Sequence, residues 1–210
     1  MTPILFLDYA GIAVFAATGA LAASRKQMDI IGFMFFAAFT GVGGGTVRDL
    51  ILDVPVFWVV NHDYLLICAL TAILVYFTAH LFESRYRLLL WLDAMGLAAY
   101  CVFGAWKAMI VTGSPVIAVV MGMITAAFGG ILRDLLAGEP SVLLRPEIYI
   151  TAALAGAGVY TGLHLMGLPL TAAALPGVAA AFLIRAGALK FGWSFPPYKT
   201  KPGRRPDDIP

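Results

Sequence analysis

Charge is scarce in this sequence: Asp, Glu, Lys and Arg make up 12% of its 210 residues, roughly half the share usual in soluble domains. Apolar residues reach 61%, more than a soluble core can hide, so the surplus needs lipid. No polar stretch is long enough for an extramembrane domain, and residues 1–192 read as a single transmembrane domain. The net charge of +2 carries no basic stripe that would neutralise a phosphate backbone, which argues against nucleic acid as a partner. There are only two cysteines, Cys68 and Cys101. Both fall in apolar runs without metal-ligand spacing, where a thiol packs as a small hydrophobe. His62, His80 and His164 also lack metal-site spacing and sit near the ends of apolar runs. Catalytic signatures are missing too. Gly41 to Thr46 has the glycines of a nucleotide-binding loop but no Gly-Lys-Ser/Thr, and neither His-Glu-x-x-His nor Gly-x-Ser-x-Gly occurs. No enzyme, no cofactor and no bound metal beyond a permeant cation are expected.

What is present is a series of apolar runs, each long enough to cross a hydrocarbon core, which takes roughly 20 helical residues. They lie at about 4–23, 29–52, 64–82, 88–111, 115–137, 147–166 and 169–189, which predicts an all-α membrane protein of seven helices. The first run ends in Ala20-Leu21-Ala22-Ala23-Ser24, similar to a cleavage site, but no Lys or Arg precedes it and Asp8 interrupts it, so it is kept as a mature helix. Arg25, Lys26, Arg85, Arg87, Arg145, Lys190, Lys199, Lys201, Arg204 and Arg205 fall on one set of alternate connections. That side is expected to be cytoplasmic, with the N-terminus outside and the C-terminus inside. Residues 193–210, basic and proline-rich, are expected to form a disordered cytoplasmic tail.

The sequence also repeats itself. At a constant offset of 85, Asp8 and Gly11 match Asp93 and Gly96, and Gly19-Ala20 matches Gly104-Ala105. Thr40, Gly44, Gly45, Arg48-Asp49-Leu50, Pro55 and Tyr64 match Thr125, Gly129, Gly130, Arg133-Asp134-Leu135, Pro140 and Tyr149. Each unit, about 4–82 and about 88–166, holds three spans. An odd number reverses the direction of insertion, so the repeat is expected to be inverted, with a seventh helix added. Such architectures commonly place a transport route between their halves, marked by Gly-interrupted helices in corresponding positions.

Thr40, Gly44 and Arg48, and likewise Thr125, Gly129 and Arg133, recur every four residues and so share one helical face. Gly43, Gly44 and Gly45, with Gly129 and Gly130, permit a kink or broken turn whose freed carbonyls suit a cation; they also permit close packing. Charges inside a membrane need partners. Pairing is expected among Asp8, Arg48 and Asp49 near the outer end, and among Asp93, Arg133 and Asp134 near the inner end, either as bracing or as ion contact. Lys107, whose counterpart is Ala22, either snorkels to the outer interface or faces the pathway.

The run Phe39 to Asp49, its counterpart Phe128-Gly129-Gly130-Ile131-Leu132-Arg133-Asp134 and the two Asp-bearing helices resemble those of the prokaryotic trimeric intracellular cation (TRIC) channels. The resemblance extends to about Ala188. It implies three plus three plus one helices, a homotrimer in the prokaryotic inner membrane among its lipids, and one hydrophilic pore per protomer lined by helices one, two, four and five. Potassium is the implied ion, with weaker discrimination against sodium. Kinks are implied at the glycines named above, although Phe128 stands where Gly43 does in the first half. A basic residue on the fourth helix is tied to gating in animal members, which points to Lys107. Some bacterial relatives are described as small-solute transporters, so a carrier for a small zwitterion such as glycine is the alternative expectation.

Overall fold

A computed structural model describes residues 3–142 and 147–196, with side chains from Asp8 onward. Among the described residues, eight α-helices follow in order: α1 (Pro3–Arg25), α2 (Ile30–Ile51), the short α3 (Phe57–Val60), α4 (Asp63–Thr78), α5 (Arg85–Thr112), α6 (Pro115–Leu136), α7 (Ile150–Leu165) and α8 (Leu170–Phe191). Local chemistry sets several of these ends. Asp29 accepts from the Gly32 amide at 2.8 Å, and Ser84 and Ser114 cap α5 and α6 in the same way, with Pro115 preset for a first turn. Gly113 and Gly192 terminate α5 and α8 at φ 65° and 69°, a left-handed conformation that side chains resist.

The seven long helices follow the expected apolar runs to within a few residues. Five of them, α2, α4 with its closing 3-10 turn, α5, α6 and α8, are long and apolar enough to cross a membrane. With 16 residues, α7 reaches about 24 Å at the helical rise, short of a hydrocarbon core about 30 Å thick. Helix α3 was not foreseen. Among the described residues the only extended pairing is a bridge between Glu147 and Ser194. Of the tail expected at 193–210, residues 197–210 lie outside the described residues, as does Arg145 among the topology-setting charges. Ahead of it, Trp193 packs over Gly187 and stacks on Phe191.

Packing divides the helices into two sets. One set is α1, α2 and α4; the other is α5, α6 and α7; and α8 lies against α5 and α7. The sets join along α1 with α5 and along α2 with α6. Interior positions are mostly small, as Ala16, Ala20, Ala98, Ala105, Ala126 and Ala157 show, while Leu66, Leu70, Phe77, Leu135, Leu175 and Leu183 point outward. Small residues inside and large apolar ones outside is the arrangement of a bundle in lipid, where close helix contact rather than hydrophobic exclusion supplies the packing.

Candidate functional site

The expected face of α2 meets the expected face of α6. A Cβ on Gly44 would strike the Thr125 carbonyl, and one on Gly129 would come within 2.6 Å of the Thr40 carbonyl. The contact is therefore reciprocal between equivalent positions, backbone against backbone, and only glycine allows it. Gly43 and Gly45 abut Leu132 and Phe57. Helix α2 runs without interruption through Gly41 to Gly45, and α6 through Gly129-Gly130. Of the kink or broken turn expected there, the broken turn does not form, and the glycines serve close approach within helices that continue. Thr125 donates to its own helix at the Met121 carbonyl, 2.6 Å away, whereas the Thr40 hydroxyl is buried without a partner among the described residues.

Arg48 and Arg133 each lie one turn beyond this crossing, and both are buried. Each binds the aspartate that follows it. Arg48 reaches Asp49 Oδ1 through Nε at 2.8 Å and Nη2 at 2.7 Å; Arg133 reaches Asp134 Oδ1 through Nε at 3.0 Å and Nη2 at 2.8 Å. The other carboxylate oxygen takes the backbone amide eight residues on, Phe57 N for Asp49 and Val142 N for Asp134, both at 3.0 Å. Phe57 and Val142 are themselves equivalent at the offset of 85.

From here the clusters diverge. In the second, Arg133 Nη1 lies 2.6 Å from Asp93 Oδ1 and donates to Thr18 Oγ1 at 3.2 Å, so the expected trio of Asp93, Arg133 and Asp134 does assemble. In the first, Asp8 does not join Arg48. Its carboxylate is taken by the phenols of Tyr64, at Oδ2, and Tyr100, at Oδ1 3.0 Å away. Arg48 Nη1 is left buried without a hydrogen-bond partner among the described residues, over the rings of Phe103 and Phe57. Lys107 enters instead, its ammonium 2.8 Å from Asp49 Oδ1. The ammonium thus has a carboxylate partner within the bundle.

Three pairs of equivalent positions account for the difference. Tyr100, Phe103 and Lys107 on α5 face the first cluster; their counterparts Phe15, Thr18 and Ala22 lie on α1, where Thr18 binds Arg133. Tyr100 supplies a phenol that Phe15 lacks, which draws Asp8 away from its arginine. Phe103 offers Arg48 a ring where Thr18 offers Arg133 an oxygen. Lys107 adds a charge that Ala22 cannot. Sequence reasoning noticed Lys107 and the Tyr64–Tyr149 match but assigned no role to Tyr64, Tyr100 or Thr18; comparing the two halves at positions where they disagree would have found the last two.

On α1, Asp8 and Thr18 are ten residues apart, so the clusters are separated by about 15 Å along the helix. The reciprocal glycine crossing lies between them. At the second cluster's end, Arg25 and Lys26 bind Glu139 at 2.9 and 3.7 Å. That contact ties the α1–α2 turn to the segment after α6. Among the described residues, no group of three or more His, Cys, Asp or Glu is arranged to hold a metal.

Comparison with known proteins agrees with this duplicated layout. The family model described as Glycine transporter matches the chain twice, over residues 5–80 and 90–165. A "UPF0126 membrane protein" of Vibrio cholerae is 42% identical over 207 residues, covering 94% of this chain and 84% of that protein. The "UPF0126 inner membrane protein YadS" of Escherichia coli is 40% identical, covering 93% and 96%. Among solved structures, the TRIC trimeric intracellular cation channel orthologue from Rhodobacter sphaeroides superposes with a TM-score of 0.89 at 54% identity, covering 92% of this chain and 100% of that one. None of these descriptions names an enzyme.

Proposed function

The chain belongs to the family described as Glycine transporter, whose fold here is that of the prokaryotic TRIC channels, and we propose that it is a monovalent cation channel. Its seven long helices all span the membrane, as an inverted repeat plus α8 within the domain of residues 1–192, with the N-terminus outside and the C-terminal tail cytoplasmic. Three copies assemble among the membrane lipids. Each carries its own route, bounded by α1, α2, α5 and α6 and preferring potassium over sodium.

One observation carries this reading: a crossing that only glycine permits, with a buried arginine–aspartate pair one turn away on each helix. A bundle of this composition gains little from buried charge unless the charges face a hydrated path, because desolvating them costs more than pairing returns. The reciprocal contact of Gly44 with Thr125 and of Gly129 with Thr40 is what a pseudo-two-fold axis in the membrane plane produces. In this conformation the crossing is shut, and conduction requires α2 and α6 to part there. Thr40, Gly43, Gly44, Gly45, Thr125, Gly129 and Gly130 then line or bend around the opening, with Asp8, Arg48 and Asp49 at its outer mouth and Asp93, Arg133 and Asp134 at its inner one. Lys107, held by Asp49, is the gating residue.

The family description favours a second reading, a carrier for a small zwitterion such as glycine. Arg48 Nη1, without a hydrogen-bond partner among the described residues, is a donor suited to a carboxylate. Reconstitution into planar bilayers separates the two: unitary potassium currents support the channel, while saturable counterflow of glycine without unitary currents replaces it with the carrier.

A further inference from the structure

The halves differ at one more place, where each carboxylate meets its tyrosine. Tyr64 donates to Asp8 Oδ2. In the equivalent pair, Tyr149 Oη and Asp93 Oδ2 are both buried, and both lack a hydrogen-bond partner among the described residues. They are neighbours nonetheless, since a Cβ on Gly130 would lie 2.7 Å from Tyr149 Oη and 3.2 Å from Asp93 Oδ1. A buried donor left beside a buried acceptor is costly, so a restraint must hold them apart.

That restraint comes from outside the repeat. Arg185 on α8 is fully buried, and it contacts three consecutive residues: Nη2 forms an ion pair with Glu147 Oε2 at 3.0 Å, though without hydrogen-bond geometry, Nη1 donates to the Ile148 carbonyl at 3.1 Å, and the guanidinium covers the Tyr149 ring at 5.1 Å. The local backbone differs accordingly. Tyr64 is the second residue of α4, within the helix, whereas Tyr149 precedes α7 at φ −122° and ψ −69°. The Tyr64 ring packs instead against Tyr9 and Phe57, with centroids 5.0 and 4.6 Å away. A buried guanidinium holds an aromatic face and a carbonyl together more firmly than either would sit alone.

We infer that Arg185 is a positioning residue that keeps Tyr149 from bonding Asp93, so that the two halves rest at different settings of one carboxylate–phenol contact. Removing the guanidinium lets Tyr149 turn onto Asp93 Oδ2 as Tyr64 does onto Asp8, without disturbing Arg133 at Oδ1. The seventh helix thus sets the state of the inner cluster while standing outside the proposed route. The inference concerns the resting protein and holds whether the chain conducts ions or carries a solute.

The test uses the purified full-length protein in lipid nanodiscs, labelled with 13Cζ-tyrosine, the Tyr64 and Tyr149 signals being assigned through Tyr64→Phe and Tyr149→Phe. A phenol that donates to a carboxylate is displaced downfield. In the native protein Tyr149 should lie upfield of Tyr64, and Arg185→Gln should move it toward the Tyr64 position. A Tyr149 signal unmoved by Arg185→Gln overturns the inference. Should Arg185→Gln fail to fold, Arg185→Lys keeps a charge for Glu147 but cannot also cover the ring. Its effect on the melting temperature should then differ between the native and Tyr149→Phe backgrounds, and equal effects in both overturn the inference as well.

Discussion

Gly44 on α2 lies directly against the backbone carbonyl of Thr125 on α6, and this single approach fixes how far apart the two halves of the bundle can stand. A methyl group here has no flexible side chain to displace. Gly44→Ala should therefore destabilise the protein by about 1–3 kcal/mol, the usual cost of overpacking, and Gly44→Leu should abolish either folding or conduction. Gly158→Ala, at an α7 position with nothing within 4 Å of an added Cβ, is the control and should be tolerated. Thermal unfolding with bilayer recording checks all three; a Gly44→Leu protein that folds and conducts normally would remove the crossing from the pathway.

Lys107 and Asp49 should act as a pair. Lys107→Ala leaves Asp49 to Arg48 and the Phe57 amide and makes the first cluster more negative by one charge. Open probability or its voltage dependence should change, and single-channel cation conductance should rise most at low salt, where screening is weakest. Recordings unaltered in a folded mutant would return Lys107 to a purely structural role.

Removal of the Tyr64 hydroxyl should be costly. Tyr64→Phe takes away one of the two phenols that hold the buried Asp8 carboxylate, and hydrogen bonds to charged groups contribute about 1.5–3 kcal/mol. Tyr149→Phe, whose hydroxyl bonds nothing among the described residues, should cost much less. Equal losses of melting temperature in the two variants would contradict the asymmetry described here.

How far this site could be read in advance depended on what kind of contact was involved. The apolar runs, the repeat and the neighbouring Arg48-Asp49 and Arg133-Asp134 pairs are local in sequence, and the seven long helices, both pairs and a Thr-Gly-Arg face on each of two helices follow from spacing, whereas the meeting of those faces is seen only in the fold. Asp8 was misassigned because its partners are chosen across helices: Tyr100 is 92 residues away, and no periodicity says that its phenol outcompetes a guanidinium. Lys107 was ambiguous for the same reason until its partner was seen. Arg185 was missed outright, since it lies in an apolar helix whose other charge, Lys190, is in the last turn, and has no counterpart in the repeat.

The aspartates of the second cluster should not be equivalent. Asp134 uses both oxygens, one on Arg133 and one on the Val142 amide, whereas Asp93 uses one among the described residues. Asp134→Asn should cost on the order of 3 kcal/mol, as breaking a buried pair does, and Asp93→Asn less. Denaturation monitored in detergent distinguishes them, and a larger loss for Asp93→Asn would show that the amide contact contributes little.

Topology gives the sharpest check on the two-fold arrangement. Pro55 and Pro140 are equivalent and exposed positions after α2 and α6. Single cysteines placed there, with Cys68 and Cys101 replaced, should be labelled by an impermeant thiol reagent from opposite sides of the membrane. Labelling from one side would end the inverted-repeat reading.

The carboxylates of Asp49 and Asp134 are double-sided, one oxygen toward a guanidinium and the other toward the main chain that leaves the helix. Each therefore links a buried guanidinium to the segment that follows its helix. A molecule that gripped either loop from the water, without ever penetrating the bundle, would pull on an arginine one turn from the glycine crossing.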